Sequence, residues 1–537
     1  MALTSRLLGA SGVVIVGVVA AAVFGQIPAL GAEDHAIVAT PASAAQRLVC
    51  PGSPVAAGAA GQKASTLSAD GSPSRQVGVS PAGRVATTTL GGGAVKAGSG
   101  TRPRLLTAPA ADAKHGAIAG AESQVVTTGD AAGLTATACT VPVNIAWIAA
   151  GATTTGRTSV LTLANASSVP AQVELDVWTE NGPVAAVGPG QLLVGAHSRL
   201  AVSLASVAPG AAGTALRVVS TGGQLGVALE QRVVRGLESG GLDLTGPTSA
   251  PATEQVLTGL RIANASAVAA ASAATGYADL QPVLRLLAPG TTAADVRISI
   301  TGTTGSGKRV LTHRIEGGKV TDITLPGLTD GTYSLDVRSS RPVVAGARVA
   351  TVTDASGSTT DTGNGTGTGT TTTGTGTAGT ATGGTTGATD GSVAGGTSTG
   401  TDSGLLGTGG TTTNASSGIS GSGATTATAR GIDLAWIAAG DPLGSSATVA
   451  VASGPGATLS FANPTDHEVS VRLARVSGST VKVPARGTAA TTVKAGIGTI
   501  SGANGLRAAV SYAGADALSA YPVAPADQAA HPVRVTH

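Results

Sequence analysis

Residues 171–178 read AQVELDVW, and this stretch sets the fold class of the chain. Its apolar residues Val173, Leu175 and Val177 alternate with acidic residues. A period of two is typical of a β-strand with one buried and one solvated face, whereas an amphipathic helix repeats every 3.6 residues. The stretch therefore predicts a strand.

The same alternation recurs further along the chain, in DVRISI at 295–300 and in VSVRLA at 469–474. Longer similarities surround these strands, since NIAWIAAG at 144–151 returns as DLAWIAAG at 433–440. A fixed period of this kind indicates a repeat architecture. We interpret the chain as three repeats of about 90 residues, and their predicted bounds are 143–240, 258–353 and 430–525.

The predicted fold class is all-β, with tandem immunoglobulin-like antiparallel β-sandwich domains. About seven short strands in each repeat suit such a sandwich. Turn signals such as Asn181-Gly182 and Asp330-Gly331 separate the strands. Aromatic residues make up only 2% of the chain, so Val, Leu, Ile and Ala are expected to fill the cores.

The N-terminus predicts export from the cytoplasm. Residues 7–32 carry no charge, and their centre at 12–25 reads GVVIVGVVAAAVFG. About 20 apolar residues span a bilayer, whereas PALGA at 28–32 offers small residues for a signal peptidase. Segment 1–32 is thus a signal peptide or a transmembrane anchor, and either alternative predicts an extracytoplasmic protein, membrane-anchored or secreted.

Two cysteines, Cys50 and Cys139, fit that compartment. Outside the cytosol a thiol pair is usually bridged, and two cysteines allow one intrachain pairing. The sequence contains no C-x-x-C redox motif. We predict a structural disulfide that closes an Ala/Gly-rich β region at 33–142.

Residues 355–429 consist almost entirely of Gly, Thr, Ala and Ser. Such a segment has little apolar surface to bury, so we predict a disordered Gly/Thr-rich linker. It separates the third repeat from the rest of the chain. Residues 526–537 form a tail.

One stretch imitates a phosphate-binding loop, because residues 302–308 read G-x-x-x-x-G-K. The motif requires a Ser or Thr next and then a helix. Here Arg309 follows, and residues 309–318 alternate like a strand. We predict the turn of a hairpin, and no nucleotide as partner. The net charge of +3 and the lack of a long basic run likewise argue against nucleic acid.

Other partial matches to catalytic and metal-binding motifs are ruled out by the surrounding sequence. GTSTG at 396–400 lies in the Gly/Thr-rich tract, and HEVSV at 467–471 has Val471 where a zinc motif needs His. The seven histidines have no metal-ligand spacing. No catalytic, cofactor-binding or metal-binding residue is therefore assigned, and no cofactor is expected. Trp147 and Trp436 are expected in sandwich cores rather than on a sugar-binding platform.

The runs CTVPVNIAWIAAGATTTGRTSVLTLANASSVPAQVELDVW at 139–178 and VVRGLESGGLDLTGPTSAPATEQVLTGLRIAN at 233–264 carry a family resemblance. Their most specific part is the Cys-x-x-Pro at Cys139 with the following Trp-x-x-x-Gly at Trp147. The chain resembles an actinobacterial family of secreted or membrane-anchored proteins known as a domain of unknown function. The resemblance implies a cell-envelope location and no reaction.

Two classes of function remain open. The first is a non-enzymatic cell-envelope protein that acts as an extracytoplasmic structural or interaction module, for scaffolding or adhesion. Its partners would be the membrane, through the N-terminal segment, and cell-wall polymers or other envelope proteins. The alternative is an accessory hydrolase or cell-wall-modifying factor with a site between domains.

Overall fold

The computed structural model describes most of the chain outside its N-terminus and the Gly/Thr-rich tract. The predicted leader at 1–32 and the predicted linker at 355–429 lie outside the described residues. No helix within the described part is long and apolar enough to cross a membrane. The described residues are 37–39, 45–57, 67–80, 83–93, 95, 99–110, 117–127, 132–184, 187–303, 308–353, 431–526 and 533–535.

The described part of the N-terminal region is built from short strands. They are β1 (Ile37–Ala39), β2 (Gln46–Cys50), β3 (Val55–Ala57), β4 (Leu67–Ala69), β5 (Ser74–Ser80), β6 (Ala86–Thr89), β7 (Arg104–Ala108), β8 (Ala117–Val126) and β9 (Gly133–Ala138), with a 3-10 turn at Ser99–Thr101. Two antiparallel sheets result, in the orders β2-β7-β6 and β5-β8-β9, while β3 and β4 form a separate pair.

Module 1 is the set of strands β10 to β18. These strands are β10 (Ile145–Ile148), β11 (Arg157–Asn165), β12 (Ala171–Thr179), β13 (Gly182–Pro183), β14 (Val187–Val194), β15 (Arg199–Ser203), β16 (Thr214–Gly222), β17 (Leu225–Arg235) and β18 (Glu238–Thr245), with a 3-10 turn at Leu204–Ser206. One sheet has the order β10-β16-β12 with β13 and β14 paired to β12, and the other has the order β15-β11-β17-β18.

Module 2 comprises β19 to β25 and a single described α-helix. The elements are β19 (Ala252–Ile262), α1 (Ala265–Ser272), a 3-10 turn (Ala278–Leu280), β20 (Val283–Leu287), β21 (Ala294–Gly302), β22 (Arg309–Ile315), β23 (Val320–Thr324), β24 (Gly331–Thr353) and β25 (Gly431–Ala438). The long strand β24 serves two sheets. Its first half pairs with β19 and β21, and its second half pairs with β20 and β25.

Module 3 comprises β26 to β33, and one further strand lies near the C-terminus. They are β26 (Ser446–Val451), β27 (Thr458–Ala462), β28 (Val469–Ala474), β29 (Thr480–Val483), β30 (Thr488–Thr492), β31 (Gly496–Ser501), β32 (Arg507–Ala513), β33 (Leu518–Pro522) and β34 (Val533–Val535). The two sheets have the orders β26-β31-β28-β29 and β30-β27-β32-β33. β34 pairs with β1, which joins the two ends of the described chain.

The chain is thus an all-β protein of antiparallel sheets, as the sequence predicts. The predicted alternation in β12 is confirmed, because Val173, Leu175 and Val177 are buried while the residues between them are half-buried. These side chains lie in the core between the two sheets of module 1. Consistent with the hairpin predicted around residues 302–308, β22 pairs antiparallel with β21, while residues 304–307 of the predicted turn lie outside the described residues.

The placement of β25 differs from the sequence expectation. The repeat comparison puts residues 433–440 at the start of the third repeat, yet β25 pairs with β24 from Thr353↔Gly431 to Gly346↔Ala438. It thereby fills the edge position that β18 has in module 1 and β33 has in module 3. The reason is physical: β25 is buried almost throughout, so its sequence has no alternation that would reveal its partner.

The cysteines form the predicted disulfide. Cys50 at the end of β2 is bonded to Cys139 just after β9, and both are buried. The bond therefore ties one N-terminal sheet to the other. It lies in a small apolar cluster with Leu48 and Leu106.

Replacing both cysteines by alanine should lower the free energy of unfolding by about 2–5 kcal/mol. The bond joins residues separated by 89 positions, and its loss frees the unfolded chain of that loop constraint. Urea unfolding with and without reductant measures the change. Reductant should destabilise the natural protein and leave the double variant unaffected, and equal stability of the oxidised natural protein and the variant would contradict this.

Candidate functional site: a buried junction of four strands

Four edge strands from different parts of the chain meet in the interior. We call β9, β18, β25 and β33 together the four-strand junction. β9 contacts β18 and β33, and β25 contacts the same two strands from the other side. Each strand is the last one of its sheet, so at the junction the N-terminal region and all three modules meet.

The four strands share a short sequence pattern of a small residue, a Leu or Ile, and a polar residue. The pattern reads GLT at 133–135, GLD at 241–243, GID at 431–433 and ALS at 517–519. The polar residue is acidic in the last strands of modules 1 and 2. Equivalent edge strands thus place Asp243 and Asp433 at equivalent positions.

Asp433 is fully buried and bonds to all three other strands. Its Oδ2 accepts the N–H of Leu134 at 2.9 Å and that of Leu518 at 2.8 Å. Its Oδ1 accepts the N–H of Leu242 at 3.2 Å. One carboxylate therefore gives hydrogen-bond partners to edge donors of β9, β33 and β18, which a purely apolar side chain would leave unpaired.

Asp243 makes a second set of bonds across the junction. Its Oδ2 accepts the N–H of Trp436 at 2.7 Å, and its Oδ1 lies 3.1 Å from Ser519 Oγ. The same Ser519 Oγ accepts the N–H of Ala136 at 2.8 Å. A continuous set of polar contacts thus runs from β18 through β25 and β33 to β9.

Two glycines allow this close approach. A Cβ at Gly133 would overlap Asp433 Oδ1 and would lie 3.0 Å from Leu242 N. Gly241 has φ +109°, and a Cβ there would lie 2.8 Å from Leu434 N. A larger residue at either position would push the strands apart.

Burial governs the protonation of both acids. It raises the pKa of Asp243 to about 7, although the donors on Trp436, Ser519 and Leu244 oppose the rise. Burial likewise raises the pKa of Asp433 well above its ordinary value, against four backbone donors. Charging a carboxyl in the junction is therefore costly.

Two arginines lie against the ring of Trp436 in β25. The guanidinium of Arg285 is 4.6 Å from the ring centroid of Trp436, and that of Arg348 is 5.7 Å from it. Arg285 is fully buried, pairs with Asp322 at 2.8 Å and donates to the carbonyl of Gly151 in module 1. Burial, followed by the nearby charge of Arg285, lowers the pKa of Arg348 to about 10.

Both tryptophans are buried, as expected, but neither lies in the sandwich core of its own predicted repeat, since Trp436 packs in the core cluster of module 1. Trp436 is 1% exposed and Trp147 is 8% exposed. Trp147 packs on the ring of Trp178 with 5.5 Å between centroids. Its other neighbours include Leu287 and Val344 of module 2, so this tryptophan lies between modules rather than between the sheets of module 1.

Two more buried acids bond to the N-terminal region, one from module 1 and one from within the region itself. Glu230 of module 1 accepts the N–H of Val55 at 2.6 Å and pairs with Arg232. Glu122 accepts the N–H of Gly52 at 2.8 Å and pairs with Arg75. Burial raises the pKa of both glutamates, while the arginines oppose the rise.

The other candidates from the sequence are dispersed. His313 lies on β22 and His467 precedes β28, and both are exposed, as is His197 in a turn. The remaining four histidines fall outside the described residues. Among the described residues, no group of three or more His, Cys, Asp or Glu could hold a metal ion. Of the acids on β12, Asp176 pairs with Arg217 at 2.7 Å.

Sequence reasoning missed both Asp243 and Asp433. A signal existed, because GLDL at 241–244 and GIDL at 431–434 are near copies. The longer match between NIAWIAAG and DLAWIAAG concealed it by aligning β25 with β10 instead of β18. A second, local signal was an acidic residue within an otherwise apolar strand. Such a residue indicates a buried acid with hydrogen-bond partners, since buried carboxylates need them.

These features define an all-β protein whose buried acids join strands that are distant in the sequence. The chain belongs to the family of unknown function DUF5719, whose model matches residues 94–426. The match ends before β25, so the strand that completes module 2 lies beyond it. No curated protein matches the chain significantly.

Replacing Asp243 by Asn should flatten the pH dependence of stability. The pKa of Asp243 is about 7 in the folded state and about 3.9 in an unfolded chain. Its contribution is therefore complete below about pH 4 and is lost as the pH rises through about 7, by up to about 1.4 kcal/mol per pH unit. Urea unfolding across this range measures the slope.

The control for this comparison is Glu316→Gln at an exposed carboxylate. The stability of Glu316→Gln should change with pH as that of the natural protein does. Asp243→Asn should lose less stability than either protein as the pH rises. Identical slopes for all three proteins would show that Asp243 does not titrate in this range.

Replacing Gly133 by Ala should destabilise the protein by about 1–3 kcal/mol, because the added methyl group overlaps Asp433. Gly290→Ala is the matched control, since a Cβ at Gly290 meets no atom within 4 Å. Thermal unfolding should separate the two variants. If both unfold at the same temperature, the close approach at Gly133 is unimportant.

Proposed function

We propose that this protein is a non-enzymatic cell-envelope protein that works outside the cytoplasm as a structural or interaction module. The observation that carries the proposal is the four-strand junction. In it, fully buried acids such as Asp433 are used to hold backbone donors of neighbouring strands. A body joined in this way suits a scaffold or adhesion protein, which must keep its binding surfaces in fixed positions.

Export is part of the same proposal. A disulfide such as Cys50–Cys139 persists mainly in oxidising compartments. The apolar segment 7–32 supplies a signal peptide or a membrane anchor. The actinobacterial, secreted character that the family resemblance implies agrees with both features. Cell-wall polymers or other envelope proteins are the partners we propose.

We further propose that the modules are immunoglobulin-like sandwiches arranged in tandem. Modules 1 to 3 share one order of strands in two antiparallel sheets. Each sheet has four strands, except that the short strand β13 adds a fifth to one sheet of module 1, and β24 is counted in both sheets of module 2. Such sandwiches commonly serve as spacers and binding units at cell surfaces. Their exposed sheet edges can also bind partner strands.

Export can be tested by expressing the full chain and a variant that lacks residues 1–32 in a bacterial host. Fractionation and protease treatment of intact cells then locate each protein. We expect the full chain to be oxidised at Cys50 and Cys139 and accessible to protease in the envelope fraction, and the truncated chain to be reduced and protected. Retention of the full chain in the cytoplasm would refute the proposal.

Mass spectrometry of the exported protein also decides between the two leader types. A mature N-terminus close to residue 33 identifies a cleaved signal peptide. An intact N-terminus in the membrane fraction identifies an anchor.

A further inference from the structure

A groove lies between residues of module 2 and residues of module 3. Arg261, Thr303 and Thr332 form its module 2 wall, while Lys482 and strand β30 contribute to its module 3 wall. Its volume is about 550 Å³, which falls within the roughly 300–1,000 Å³ typical of small-molecule sites.

Hydroxyl groups and two cations dominate the lining of this groove. Arg261 and Lys482 supply positive charge from opposite modules, and none of the residues that line the groove in the described structure is acidic. Each hydroxyl can both donate and accept a hydrogen bond. The threonines of the lining are Thr303, Thr332, Thr458, Thr488, Thr491 and Thr492.

Two polar atoms at the groove have no hydrogen-bond partner among the described residues. Thr488 is 6% exposed, and its Oγ1 has no hydrogen-bond partner among the described residues. The Nε of Arg261 is likewise buried without a partner, although its Nη1 donates to Thr332 Oγ1 at 3.0 Å. Buried polar groups without partners are costly, so a rotation that turned the Thr488 hydroxyl into the groove would be offset by a hydrogen bond to a ligand.

The second cation is free to meet a ligand. Lys482 is 74% exposed, and its contact with Glu468 is long, at 3.8 Å. Exposed ion pairs of this kind contribute little to stability. Lys482 can therefore exchange its contact with Glu468 for a stronger one to an anion in the groove.

We propose that this groove binds a saccharide that carries an acidic group, either a carboxylate or a phosphate. Sugar hydroxyls would pair with the threonine side chains, and the acidic group would lie between Arg261 and Lys482. The described lining contains no aromatic residue, so binding would depend on hydrogen bonds and charge rather than on stacking. The site is separate from the junction and extends the proposed function to a specific class of ligand.

Isothermal titration of the full chain with three probes tests the proposal. The probes are trigalacturonic acid, which carries carboxylates, mannose 6-phosphate, which carries a phosphate, and neutral maltotriose. At least one acidic probe should bind about tenfold more tightly than maltotriose, as expected for charge-assisted hydrogen bonds. The pair of acidic probes also tells which acidic group is preferred.

Two variants and one control place the binding in the groove. Lys482→Ala should weaken binding of the acidic probe about tenfold, and Thr488→Val should weaken it about threefold. Lys494→Ala, at an exposed lysine of module 3 outside the groove, should leave it unchanged. Without ligand, Thr488→Val should unfold at the same or a higher temperature, because it removes an unpaired buried hydroxyl.

The proposal is overturned if neither acidic probe binds more tightly than maltotriose, or if Lys482→Ala and Lys494→Ala bind alike. Both results would leave the structural role of the junction intact, because the junction shares no residue with the groove.

Discussion

The structure depends on the buried carboxyl group of Asp433, which accepts hydrogen bonds from backbone N–H groups instead of from water. Asp433 is 0% exposed, and burying a charge or a polar group is costly unless its hydrogen bonds are replaced. Leu134, Leu242 and Leu518 supply the replacements. Each donor belongs to a different strand, so Asp433 is satisfied only when all four strands of the junction are in place.

The position of β25 shows how the chain on the two sides of the Gly/Thr-rich tract is joined in one sheet. Thr353 at the end of β24 and Gly431 at the start of β25 are direct partners in the sheet. In the sequence, residues 354–430 therefore lie between two strands that are direct neighbours in one sheet. A long insertion there is tolerable, because loop closure costs only about 0.6 kcal/mol more for each doubling of length.

Much of the local structure could be predicted from the sequence. Alternation identified strands such as β12, and the repeat of turn signals identified hairpins, because both depend on short-range chemistry. The disulfide followed from having two cysteines. The identity of neighbouring strands could not be read in this way, since alternation tells which face is buried but not which strand lies beside it.

The junction was harder still to foresee. Asp243 and Asp433 lie in strands that are buried on both faces, and their donors are up to 299 residues away in the sequence. An acidic residue usually indicates an exposed position, whereas in these strands it lies in the core. Only the near identity of GLDL and GIDL connects the two acids, and its meaning depends on the sheet order.

Amide hydrogen exchange in Asp433→Ala tests the central claim most directly. The substitution leaves three buried N–H groups unpaired, each at a cost of about 1–3 kcal/mol. The amides of Leu134, Leu242 and Leu518 should therefore exchange at least about tenfold faster, and all three together, because they share one acceptor. If they keep their protection, or if exchange rises only within β25, the carboxylate does not hold the four strands together.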